Sequence, residues 1–62
     1  GKTFIFEVPE GAVFKLYNGK LFRKGLKRRT RFECTDMATG RLYVFNPNAE
    51  VELLIEQNKY NE

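Results

Sequence analysis

Turn-forming residues recur so closely along this chain that no long element fits between them. Pro9-Glu10-Gly11, Asn18-Gly19, Gly25, Gly40 and Pro47-Asn48 cut it into short runs, and those runs are rich in β-branched and aromatic residues. Residues 3–8 read as a first strand, with Phe4, Phe6 and Val8 on one face. Residues 13–17 and 21–24 follow as strands two and three. Asn18-Gly19 between them is the strongest hairpin signal, because both residues tolerate the positive φ of a tight turn. A strict two-residue turn would pair Leu16 with Leu21 and put Phe22 out of phase with Phe14. A longer loop or a bulge is therefore expected, returning Phe14, Leu16 and Phe22 to one face.

Gly25 ends the third run. Residues 28–35 then alternate, with Arg29, Arg31, Glu33 and Thr35 on one side and Arg28, Thr30, Phe32 and Cys34 on the other. This is the pattern of a half-buried strand whose wet face begins with arginines. Residues 36–40 form a loop that closes on Gly40 in a left-handed conformation. Residues 41–46 make strand five, where Leu42 and Val44 face away from Tyr43 and Phe45. Both faces are apolar, so this strand is expected to be central or covered on both sides. In the tail, Val51, Leu54 and Ile55 fit a helix capped by Asn48, while Val51, Leu53 and Ile55 fit a strand. Period alone does not separate the two. The reading adopted is a final strand over residues 50–55 with residues 57–62 frayed; a short C-terminal helix over residues 49–56 is the alternative.

The fold class is therefore all-β: five or six short strands in a small barrel, since closure removes the exposed edges a free sheet this small could not protect. The expected core is Phe4, Phe6, Phe14, Leu16, Phe22, Phe32, Leu42, Val44 and Val51. Sixty-two residues form one domain, residues 1–62, and a start at Gly1 rather than Met fits excision from a longer protein. One cysteine and no histidine exclude a disulfide and a structural zinc site. Six Phe and three Tyr supply the core instead, each able to bury about 150–250 Å². No run approaches the roughly 18 apolar residues of a membrane helix, so no membrane contact is expected, and a lone free cysteine fits a reducing cytoplasm.

Charge is segregated along the chain. Eight Lys or Arg and no acid lie within residues 15–31, whereas the rest holds eight acids against Lys2, Arg41 and Lys59. Such a distribution concentrates positive potential on one surface and attracts polyanions more than a net charge of +3 suggests. The candidate nucleic-acid-binding residues are Lys20, Arg23, Lys24, Lys27, Arg28, Arg29 and Arg31, which a hairpin arm, its turn and the next strand bring together. Arginine dominates residues 28–31, and its planar fork suits bidentate phosphate contacts. Tyr17 and Tyr43 are candidates for stacking on bases if exposed.

The skeleton Val8-Pro9-Glu10-Gly11, Phe14, Asn18-Gly19, Phe22-Arg23-Lys24, Arg31, Thr39-Gly40-Arg41, Tyr43, Phe45 and Val51 resembles that of small SH3-like barrel modules in phage and bacterial proteins. The likeness covers residues 8–51 and rests on turn and core positions. It implies a small SH3-like barrel and carries over no binding or catalytic residue. In size and basic character the chain is also similar to the small archaeal chromatin barrels, but it lacks the tryptophan of their DNA-binding sheet.

Enzymatic chemistry is not expected. With neither His nor Ser, the usual nucleophile systems cannot be assembled in one protomer. Cys34 falls on the inward side beside Phe32, where it serves as a small hydrophobe. The isolated glycines lack phosphate-loop spacing, and no cofactor or metal is implied. The expected function is a non-enzymatic nucleic-acid-binding module, for DNA or RNA, working mainly through phosphate contacts. The alternatives are an adaptor or inhibitor docking on an acidic protein surface, and a structural module that self-assembles through strand edges.

Overall fold

The computed structural model describes residues 1–54. Six antiparallel strands form one sheet: β1 (Lys2–Phe4), β2 (Val13–Lys15), β3 (Leu21–Arg28), β4 (Arg31–Asp36), β5 (Leu42–Phe45) and β6 (Glu50–Leu53). Their order across the sheet is β1-β6-β2-β3-β4-β5. The sheet curls into a half-barrel, because Phe45 of β5 reaches across to Phe14 of β2, ring centres 5.8 Å apart, although β3 and β4 lie between them. The only helical piece among the described residues is a 3₁₀ turn, Ile5–Glu7. The expected strand over residues 50–55 is present through Leu53; its last residue, and the expected fraying of residues 57–62, lie outside the described residues.

The 3₁₀ turn corrects the first strand. Extended backbone stops at Phe4, and the turn brings Ile5 and Val8, three apart, onto the core side at 0% and 2% exposure. Phe4 and Phe6 are left outside, stacked on each other at 5.8 Å. Strict alternation reverses the sides at this point, because a 3₁₀ turn repeats every three residues.

The second turn is longer than two residues, as expected. Leu16 N–H donates to the Lys20 carbonyl, Gly19 N–H donates back to Leu16, and Gly19 takes φ 90°. Three loop residues put Phe14 directly opposite Phe22, their rings stacked at 5.9 Å. These rings, Ile5, Val8, Cys34 and Val51 make the centre of the core, with Leu16, Phe32 and Phe45 packed against it.

Strand three does not stop at Gly25. It runs on to Arg28 through a bulge, in which Lys24 to Lys27 takes three steps against the two from Cys34 to Phe32. Only glycine fits there, since a Cβ on Gly25 would stand 2.8 Å from the Glu33 carbonyl oxygen.

Strand five is also corrected. It is neither central nor covered: it is the sheet's edge, with Leu42 63% and Val44 55% exposed. Its inward residues are Tyr43 and Phe45, which meet Phe22 edge-on at 5.7 and 5.1 Å. Of the nine core positions expected, Phe4, Phe6, Leu42 and Val44 are exposed instead.

Candidate nucleic-acid interface

A two-residue connection, Arg29-Thr30, joins β3 to β4, and Arg28 pairs with Arg31 across it. Arg29 sits at φ 58°, the left-handed region that non-glycine residues seldom occupy. Lys27, Arg28, Arg29 and Arg31 are all exposed, so four cations crowd the end of this hairpin.

They are divided between its faces. Cross-strand partners share a face, so Lys27 lies on the side of Phe32, its Nζ 6.0 Å from the centre of that ring. Arg28 and Arg31 lie on the other side, where Arg28 Nη1 donates to Glu33 Oε2. That ion pair holds the Arg28 side chain, which remains 64% exposed, against the hairpin surface.

The remaining sequence candidates separate from this group. Arg23 is exposed near the start of β3, opposite Thr35. Lys20 and Tyr17 belong to the β2–β3 turn, at the other end of β3 from Arg28, about 25 Å away at roughly 3.3 Å per residue. Tyr17 is 97% exposed and available for stacking; Tyr43 is 40% exposed, but its ring is packed edge-on against Phe22.

Lys24 is a correction. It is 6% exposed, its Nζ donates to the Val8 carbonyl at 2.6 Å, and the ammonium stands 4.0 Å above the Phe32 ring. Burial pushes its pKa below the usual lysine value, opposed by Cys34 and Glu10. This lysine is a structural strut of the core and presents nothing to a phosphate. Alternation explains it: Lys24 lies two residues after the buried Phe22, ahead of the bulge, and so faces the core, while the extra residue beyond it turns Lys27 to the same Phe32 side at the tip.

Cys34 is buried as expected, and burial raises its thiol pKa, offset by a backbone hydrogen bond from Gly25 and by Lys24. Such a thiol is the opposite of an activated nucleophile. A shallow hollow of about 100 Å³ beside Lys15, Tyr17 and Glu52 is well below the roughly 300–1,000 Å³ of small-molecule pockets. Among the described residues no three His, Cys, Asp or Glu side chains cluster as metal ligands, and no helix is long and apolar enough to cross a membrane.

Sequence reasoning missed the exposed Phe4–Phe6 stack and the exposed Leu42 and Val44. Only the three-dimensional phase of these strands reveals them. No protein-family model matches the chain, and no curated protein or solved structure matches it either.

Proposed function

We propose that this chain is a non-enzymatic nucleic-acid-binding module of the SH3-like, phage or bacterial kind, which grips the phosphate backbone with the end of its β3–β4 hairpin. One observation carries this reading: Lys27, Arg28, Arg29 and Arg31 are gathered, exposed, on a single two-stranded tip. The left-handed Arg29 adds support. Glycine or asparagine would relieve that backbone, and strain of this kind is concentrated where a side chain is needed for function. The kinship with SH3-like barrels is supported by the curled sheet and by the Asn18-Gly19 hairpin.

The test is electrophoretic mobility or anisotropy against DNA and RNA over a salt series. With about four phosphate contacts, log K falls against log salt with a slope of roughly −3 to −4. Replacing Arg28, Arg29 and Arg31 by Glu abolishes binding while circular dichroism still reports a folded β protein. A folded triple variant with unchanged affinity and salt slope removes the assignment.

A second reading rests on β5. An edge strand with no strand on its outer side among the described residues, and with Leu42 and Val44 exposed, is a template for strand addition, which favours docking to a protein partner or to further copies of the chain. Nanomolar protein binding, with none to nucleic acid at low salt, selects it.

A further inference from the structure

Resting on the nucleic-acid reading, we infer that the β3–β4 tip is shaped to enter the major groove of B-form duplex DNA. The hairpin outruns its neighbours. On one flank, β2 and its lead-in accompany β3 only as far as Lys24, whose backbone bonds Gly11 and Ala12. On the other flank, β5 leaves at Phe45, opposite Phe32. From Gly25 to Arg28 and at Arg31, the two strands have only each other as strand neighbours among the described residues. Past both flanks the ribbon projects by the Arg28–Arg31 pair and the Arg29-Thr30 turn. On the β2 flank the uncovered edge from Gly25 to Arg28 is about 10 Å long at roughly 3.3 Å per residue, and a ribbon with its side chains is about 10 Å thick. The B-form major groove is about 12 Å wide and 8.5 Å deep, and it admits a two-stranded ribbon; the minor groove, about 6 Å wide, does not. The deep groove of A-form RNA is too narrow as well.

The charge placement points the same way. A groove has a phosphate wall on each side, and this ribbon carries cations on both faces: Lys27 on one, Arg28 and Arg31 on the other, with Arg29 at the leading end. A single strand, or a flat acidic protein surface, would engage only one of those faces. Glu33, the carboxylate near the tip, is held against Arg28, which offsets its repulsion for phosphate.

Fluorescence anisotropy in low salt compares a short mixed-sequence DNA duplex, the same sequence as duplex RNA, and the separate strands. The DNA duplex is expected to bind several-fold more tightly than the others. Methyl green, which occupies the major groove, competes with the unmodified protein; netropsin, which occupies the minor groove, does not. Lys27→Glu and Arg31→Glu, on opposite faces, each cause a several-fold loss of duplex affinity with unchanged circular dichroism. Equal or tighter binding to single strands or duplex RNA overturns the groove inference, as does competition by netropsin alone or sensitivity of one face only. Each of those results leaves nucleic-acid binding standing. Absence of binding to every nucleic acid overturns both.

Discussion

The Lys24 ammonium lies beneath the sheet, between the Val8 carbonyl and the Phe32 ring, and its surroundings fix what its removal does. Lys24→Met keeps the side-chain length but leaves the Val8 carbonyl without its partner, so stability falls by about 1–3 kcal/mol. Under the proposed function, nucleic-acid affinity stays unchanged, which separates this lysine from Lys27. Lys24 and Cys34 act on stability with opposite signs. The Lys24 pKa is lowered on folding, so the unfolded chain binds more protons and stability rises with pH in the window below 10.5. The deficit of Lys24→Met relative to the parent chain therefore grows across that window. For Cys34 the folded pKa is raised, so its contribution is fully present below 9.0 and is lost as pH rises through the folded value. Thermal melts of Cys34→Ala over the same alkaline range lack that loss. A parent chain and a Cys34→Ala variant with parallel pH profiles contradict the burial of the thiol.

At the scale of elements, the bulge at Gly25 decides which side of the hairpin Lys27 and Arg28 occupy. Gly25→Ala drives a Cβ against the Glu33 carbonyl, from which nothing on the backbone can easily retreat. A cost of about 1–3 kcal/mol is expected from urea denaturation, together with weaker nucleic-acid binding, because Lys27 loses its register with Phe32. The same scale shows how far the sequence could be read. Phe14 and Phe22 were legible as partners, since a hairpin loop is local and the wrong loop length would have put one of the two outside. The gathering of residues 27–31 was legible for the same reason, because a tight connection folds a charge run back on itself. The inward side of Lys24 was legible too, two residues after Phe22, but its charge was read as a surface position; it is the side of Lys27 that depends on an extra residue alternation does not count. Phe4 and Phe6 failed where a 3₁₀ turn replaced the period of two. Leu42 and Val44 failed for a different cause: β5 is apolar on both faces, and pattern alone does not say which face a curled sheet will close over. Neighbourhood along the chain was readable, and orientation across it was not.

For the molecule as a whole, the curl leaves β1 and β5 at the sheet margins, each with no strand on its outer side among the described residues. Natural sheets commonly guard such margins with charge, proline or bulges, and β5 has none of these within Leu42–Phe45. On the strand-addition reading, Val44→Lys places a charge at its exposed centre, so any concentration-dependent association falls in sedimentation experiments while the melting temperature changes little. Unaltered association in that variant shows that β5 is not the sticking edge. At the opposite margin, β1 pairs with β6, setting Lys2 against Glu52 and Thr3 against Val51, nearly the whole described length apart. Contacts that close so large a loop form only after the intervening chain has been organised, because the loop's entropy must be surrendered first. The order of events in folding follows from this pairing. Substitutions in the β2–β3 and β3–β4 hairpins should slow refolding, whereas Thr3→Ala in β1 should leave refolding nearly unchanged and hasten unfolding. Stopped-flow chevrons separate the two limbs. In kinetic terms, the β1–β6 seam is a latch that sets how long the folded state lasts and leaves the speed of its formation to the hairpins.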